Sequence, residues 1–121
     1  MLDSKILLEE IITMIEKIES SLTTKTIETF SLDFNLLDAT LMRLHFIGEN
    51  IKNIPTEIKK KYPKVRWKKF SRLRNIIGHK YSIVNKEIIW DVVKNSLPKL
   101  KKEIQEIIKK EKLLHRISAN S

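Results

Sequence analysis

Two features of the 121-residue chain predict an all-α fold, an up-and-down bundle of four main helices plus a short connector helix. Apolar residues recur at steps of three and four over several long stretches, which is the spacing of one face of an α-helix. The chain also contains only two glycines and three prolines, too few for the turns of a many-stranded β-fold. The length fits a single domain over residues 1–121.

The two long helices near the start of the chain are predicted over residues 4–21 and 33–53, with a short helical turn near residues 27–30 between them. Gly48 lies inside the second helix, where it costs about 1 kcal/mol relative to alanine. The close approach of another helix is the simplest reason for a glycine there. The predicted core-facing residues of the two long helices are Leu8, Ile11, Ile15, Ile18, Leu22, Leu37, Leu41, Leu44, Gly48 and Ile51.

Prolines and caps divide the remainder of the chain into shorter elements. We expect a connector helix from Pro55 to Lys61 and a basic helix over residues 66–79. A further helix capped by Asn85 should bury Ile88 with its apolar neighbours, and a final helix should begin around Pro98. Residues 111–121 lose the apolar pattern and are expected to form a frayed tail.

The composition excludes several classes of protein. The chain has no cysteine, so disulfides and thiolate metal sites are impossible. Its three histidines are far apart in sequence, and we expect neither a metal site nor a cofactor. It has no run of 18 apolar residues, and we expect no signal peptide. These features favour a cytoplasmic protein that does not interact with membranes.

The positive charge is concentrated in one segment. Residues 59–81 hold ten lysines and arginines and no acidic residue, whereas the rest of the chain holds fourteen basic and fifteen acidic residues. The whole net charge of +9 therefore belongs to this segment. Such a patch attracts phosphate backbones, although a solvated lysine-rich face is the simpler alternative. The candidate RNA-binding residues are Lys64, Arg66, Lys68, Lys69, Arg72 and Lys80.

The basic segment ends in the sequence Arg74-Asn75-Ile76-Ile77-Gly78-His79-Lys80-Tyr81. At 100° per residue, Arg74, Asn75 and His79 share one face of a helix with Gly78 between them, and the opposite face is apolar. Arginine offers a fork of donors that suits phosphate, and histidine can both take and give a proton near neutral pH. Together these side chains suit cleavage of RNA by its own 2′-hydroxyl without a metal, although solvated surface residues would give the same pattern.

The motif and its flanking segments resemble the HEPN superfamily, and more narrowly the HepT-like ribonuclease toxins that are paired with minimal nucleotidyltransferase antitoxins. The resemblance covers residues 36–104. Lys80 departs from the family, because many relatives have an acidic residue between the histidine and the tyrosine. The matching segments are Ile47-Gly48-Glu49, Pro55-Thr56-Glu57-Ile58, Tyr62-Pro63, Trp67, Arg74–Tyr81, Glu87-Ile88-Ile89-Trp90 and Leu97-Pro98-Lys99-Leu100.

The resemblance implies a homodimer, possibly of higher order, in which two motif helices face each other across a two-fold axis. It also implies that the partner nucleotidyltransferase transfers AMP from ATP to Tyr81. Within the shared cleft, we assign proton transfer to His79 and stabilisation of the phosphorane charge to Arg74. Asn75 would orient His79 or the phosphate.

Two other functions fit the same residues. The basic face could bind RNA or a nucleotidyltransferase without catalysis, or the chain could be a helix-turn-helix DNA-binding protein. His45 and Glu49, four residues apart on the second long helix, could face the candidate site, although a surface pair is the simpler interpretation.

Overall fold

The computed structural model describes residues 2–78 and 85–120. Every regular element within these ranges is a helix, which confirms the all-α prediction. The elements in chain order are α1 (Leu2–Leu22), α2 (Ile27–Leu32), α3 (Phe34–Asn53), α4 (Thr56–Lys61), α5 (Trp67–Ser71), a 3₁₀ segment (Arg72–Gly78), α6 (Lys86–Asp91), a π segment (Val92–Ser96) and α7 (Leu97–Asn120).

The core is built from the apolar faces of α1, α3 and α7. Each of the ten core-facing residues predicted for the first two long helices is buried. α7 adds Leu100, Ile104 and Ile107 to the same core. The helix-period spacing therefore placed the core correctly, because a 3.6-residue repeat fixes which side chains share a face.

Polar contacts show that α3 runs antiparallel to α1. The amide of Asn50, near the end of α3, donates to Glu10 in the first half of α1 at 3.1 Å. Arg43, in the middle of α3, donates to the Ser21 hydroxyl near the end of α1 at 3.3 Å. The later residue of α3 therefore contacts the earlier residue of α1, as an up-and-down connection requires.

α7 also runs antiparallel to α1. Lys101 in its first turns pairs with Glu19 near the end of α1 at 3.1 Å. Further along α7, Ile108 and His115 share the lining of a cavity of about 380 Å³ with Lys5 and Leu8 near the start of α1. The two helices therefore lie side by side over most of the length of α1.

The stretch predicted as one basic α-helix changes its helix type halfway. Trp67–Ser71 is α-helical, but Arg72–Gly78 winds as a 3₁₀ helix. The single α-helix predicted over residues 66–79 is therefore wrong in its second half. A 3₁₀ helix turns by about 120° per residue and seldom runs beyond four residues, so this segment needs support from its neighbours.

α7 begins at Leu97, which confirms the predicted start of the final helix around Pro98. However, α6, the π segment and α7 follow one another without a break, so this helix is not separate. The amide of Leu97 donates to the Val92 carbonyl, five residues earlier. Pro98 directly follows this π turn. Because proline has no amide hydrogen and crowds the preceding turn, a widened turn lets the helix continue past it.

One further expectation about this continuous helical stretch is wrong. Ile88 is 60% exposed rather than buried, because Ile89 and Val93, one turn apart, face the core instead. α7 is helical to Asn120, but residues 112–119 are all exposed, so the frayed tail over residues 111–121 stays a prediction.

A tyrosine–carboxylate contact ties the second half of α7 to the connector helix. The Tyr62 hydroxyl donates to Glu111 at 2.5 Å, and Lys61 pairs with the same carboxylate at 2.9 Å. Burial, together with the Glu111 carboxylate, raises the pKa of Tyr62 to about 12. Burial alone would raise the pKa of Glu111, but the bonds from Tyr62 and Lys61 outweigh it and lower that pKa. Glu111 is thus held as a carboxylate, which anchors α7 beyond the point where its apolar pattern fades.

None of the helices in the described ranges combines the length and the apolar character needed to cross a membrane.

Gly48 explains how the 3₁₀ segment lies so close to α3. A Cβ at this position would overlap the backbone nitrogen of Arg74 and would lie 2.8 Å from the carbonyl carbon of Leu73. Both neighbours are backbone atoms, which cannot swing aside as the end of a side chain can. The close approach predicted for Gly48 is therefore confirmed, and its partner is the segment that carries Arg74.

We predict that Gly48→Ala destabilises the protein by about 1–3 kcal/mol, the usual cost of overpacking. In an open helix the same change would stabilise by about 1 kcal/mol. The midpoint of urea unfolding measures the effect, with Asp38→Ala on the exposed face of α3 as the control. A higher midpoint for Gly48→Ala than for the parent protein would contradict the close contact.

Candidate functional site

Arg74 is contacted through its backbone and its side chain by one face of α3. The bare Cα of Gly48 lies against its backbone. His45 Nδ1 donates to its carbonyl oxygen at 2.5 Å. Glu49 lies 3.8 Å from its guanidinium. These three residues of α3 occupy positions i, i+3 and i+4, so a single helical face holds the arginine.

The guanidinium of Arg74 remains accessible to other anions. Its side chain is 35% exposed and that of Glu49 is 40% exposed. An ion pair this open to water contributes about 0–1 kcal/mol. The distance of 3.8 Å also exceeds that of a charge-assisted hydrogen bond. A phosphate could therefore replace the carboxylate or share the guanidinium with it.

Asn75 lies exposed directly after Arg74. The remaining residues predicted for the motif, His79, Lys80 and Tyr81, lie outside the described residues. Both Arg74 and Asn75 are thus accessible at the protein surface. Their grouping with His79 stays a prediction.

The basic surface consists of the exposed cations Lys64, Arg66, Lys68, Lys69 and Arg72. They alternate with Val65, Trp67 and Phe70, which are buried and fix this stretch to the core. The indole of Trp67 donates to the Tyr62 carbonyl at 2.9 Å, so its buried N–H has a partner. Within the described ranges none of the five cations pairs with a carboxylate, and each is therefore available to a polyanion.

Other cations of the same segment have structural partners. Lys61 pairs with Glu111 at 2.9 Å. Lys59 donates to the Lys52 carbonyl at 3.2 Å, and burial lowers the pKa of Lys59. The charge available to a ligand is therefore smaller than the sequence count suggests, and it is concentrated in the residues just before Arg74.

An apolar edge, formed by Met42 and Phe46, lies on α3, the helix that contacts Arg74. Met42 is 59% exposed and Phe46 is 38% exposed. They are four residues apart, and Phe46 directly follows His45. Exposed large apolar side chains on adjacent turns are typical of surfaces that contact another protein.

The interpretation of His45 and Glu49 as a simple surface pair is wrong, because both contact Arg74. Sequence reasoning missed the contact of His45 with the Arg74 backbone, which joins residues 29 positions apart. The available signal was the spacing of His45, Gly48 and Glu49 on one helical face. This spacing becomes informative once Gly48 is known to face the segment that carries Arg74, because His45 and Glu49 lie on either side of Gly48.

The part of the chain that the structure describes contains no group of three or more histidine or carboxylate side chains placed to hold a metal ion.

The chain matches a family model described as ribonuclease HepT-like over residues 11–107. A Methanocaldococcus jannaschii protein named as a gamma-glutamylcyclotransferase and candidate RNase is 42% identical over 106 residues, which cover 88% of this chain and 48% of the relative. This chain thus spans about half the length of that relative.

A Thermococcus cleftensis protein named probable ribonuclease HepT is 33% identical over 102 residues, which cover 84% of this chain and 93% of the relative. A second Methanocaldococcus jannaschii protein, named as a candidate RNase, is 45% identical over 84 residues, which cover 69% of each chain. No solved structure gave a significant match.

Proposed function

Because the chain belongs to the family of HepT-like ribonucleases, we propose that it is a metal-independent endoribonuclease toxin. It cleaves RNA through attack of the ribose 2′-hydroxyl at a site shared by two copies of the chain. A cognate nucleotidyltransferase neutralises it by transferring AMP to Tyr81. The observation that carries this proposal is the partly exposed guanidinium of Arg74, whose backbone contacts α3 and which follows five exposed cations without a carboxylate partner among the described residues.

In the proposed reaction, the 2′-oxygen forms a bond to the adjacent phosphorus while the bond from phosphorus to the 5′-oxygen breaks. A base takes the proton of the 2′-hydroxyl, and an acid gives a proton to the departing 5′-oxygen. The products are a 2′,3′-cyclic phosphate and a free 5′-hydroxyl. Histidine suits both proton transfers, and the motif of each chain supplies one, His79. Arg74 stabilises the negative charge that grows on the phosphoryl oxygens.

Two copies of the chain would supply two histidines and two arginines to one cleft. The apolar edge of Met42 and Phe46 supports pairing through α3, because a second copy would bury these exposed side chains on the same helix that contacts Arg74. A two-fold axis there would bring both arginines to the same cleft.

The basic surface supports RNA as the substrate. The five cations Lys64, Arg66, Lys68, Lys69 and Arg72 would contact phosphates along the strand, and Lys80 extends the set in sequence. Such contacts supply affinity and position the strand without reading its bases. They also support a second candidate function, a non-catalytic module that binds RNA or a nucleotidyltransferase. Cleavage that depends on Arg74 and His79 distinguishes the two functions.

We predict that His79→Ala and Arg74→Ala each reduce kcat by about 10²- to 10⁴-fold, the usual contribution of a placed acid–base or charge-stabilising group. Cleavage of a labelled RNA in the presence of EDTA measures the loss. Arg116→Ala on the exposed end of α7 removes an arginine from another part of the chain and is the control. Wild-type rates for folded His79→Ala would exclude the assigned role of that histidine.

We predict that Phe46→Glu converts a dimer to a monomer and abolishes cleavage, because two carboxylates would oppose each other in the proposed interface. Light scattering after gel filtration measures the mass. Ile117→Glu places the same charge on an exposed apolar residue of α7 and should leave the dimer intact. A Phe46→Glu protein that stays dimeric would place the interface elsewhere.

We predict that the cognate nucleotidyltransferase and ATP increase the intact mass of the protein by one or more AMP groups. The Tyr81 oxygen forms a bond to the α-phosphorus of ATP, and pyrophosphate leaves. The added negative charge would occupy the basic site and block RNA. Mass spectrometry measures the adduct, and cleavage should fall as it accumulates.

The other tyrosine of the chain provides a matched control for this modification. Tyr62 donates its hydroxyl to Glu111 and is partly buried. Tyr62→Phe should therefore still be modified, whereas Tyr81→Phe should not. An unshifted mass with a partner that is active on another substrate would exclude the proposed neutralisation.

A further inference from the structure

Among the described residues, the His45 ring has one polar contact, the hydrogen bond from Nδ1 to the carbonyl oxygen of Arg74. A carbonyl oxygen can only accept, so Nδ1 must carry the hydrogen. The neutral ring with its hydrogen on Nδ1 and the imidazolium ring both meet this requirement. The contact thus fixes a backbone position and does not depend on proton exchange at Nδ1.

His45 fixes the Arg74 backbone, and this determines where the Arg74 side chain starts. Gly48 lets the Arg74 backbone approach α3, and the His45 bond holds the carbonyl of the same residue. The ion pair with Glu49 is open to water and cannot define the guanidinium position alone. Backbone contacts are therefore the main restraint on where the side chain begins.

The helix type of this segment increases the need for such a restraint. Arg72–Gly78 runs as a 3₁₀ helix for seven residues, longer than is usual for this weakly bonded form. Arg74 lies within it, two residues after its start. A hydrogen bond from the rigid helix α3 fixes a segment whose own hydrogen bonds have poor geometry.

We propose that His45 is a positioning residue for the ribonuclease reaction, acting through the backbone of Arg74. This inference rests on the proposed function, because it assigns to Arg74 the stabilisation of the phosphorane. A displacement of about 1 Å in a group that acts on the transition state can cost roughly 100-fold in rate. His45 therefore acts on kcat more than on KM, since the cations that hold the RNA strand lie elsewhere.

Three substitutions of His45 separate positioning from proton transfer. In His45→Asn, the amide nitrogen is attached to Cγ, as Nδ1 is in histidine, so the donor is retained. In His45→Gln, the amide is one carbon further out, and His45→Ala has no donor. We expect His45→Ala and His45→Gln to lower kcat by roughly 10- to 100-fold with little change in KM. His45→Asn should stay within about threefold of the parent protein.

A double-mutant cycle tests whether His45 acts through Arg74. In an Arg74→Ala background, His45→Ala should cause almost no further loss, because the guanidinium that it positions is absent. Asn50→Ala removes a tertiary hydrogen bond from the same helix, to Glu10, and should leave kcat unchanged. Amide hydrogen exchange over residues 72–78 should be faster in His45→Ala than in either the parent protein or Asn50→Ala.

The outcomes that overturn the proposal are distinct. Wild-type kcat for folded His45→Ala, or full additivity with Arg74→Ala, excludes a positioning role through Arg74. His45→Asn as inactive as His45→Ala excludes it too, because the other ring nitrogen, Nε2, would then be the group that matters. If Arg74→Ala cleaves RNA as fast as the parent protein, the proposed role of Arg74 fails first, and the inference about His45 fails with it.

Discussion

The contact between the bare Cα of Gly48 and the backbone of Arg74 determines the geometry of this site. Any larger residue would push the 3₁₀ segment away from α3. The hydrogen bond from His45 and the ion pair from Glu49 both start on the same helical face and reach the same arginine, so both depend on that short separation. Glycine destabilises a helix interior, but at this position it allows two backbones to approach closely.

The contact gives Arg74 two different environments. Its backbone is enclosed by α3, whereas its guanidinium is half-exposed and only loosely paired. A fixed backbone and an accessible guanidinium suit a group that must contact an incoming phosphate in a defined place. The neighbouring cations also combine a fixed backbone with an accessible charge. The buried side chains of Trp67 and Phe70 attach this stretch to the core, while Lys68 and Lys69 remain exposed.

The sequence predicted the core and the basic segment best where a local pattern of residues determines the structure. The burial of Ile11, Ile15 and Ile18 followed from their spacing alone. The concentration of cations before Arg74 was visible in the composition of residues 59–81. The pattern failed at Ile88, where two adjacent isoleucines could each have faced the core and only packing selects one.

By itself, the sequence determined the helical class, the core-facing stripes and the family, because these depend on periodicity and on residues close together in the chain. Only the tertiary structure decided the 3₁₀ winding of Arg72–Gly78 and the contact of His45 with the Arg74 carbonyl. That contact joins residues 29 positions apart. Local propensity cannot encode such a contact, since it exists only once α3 and the motif segment have packed together.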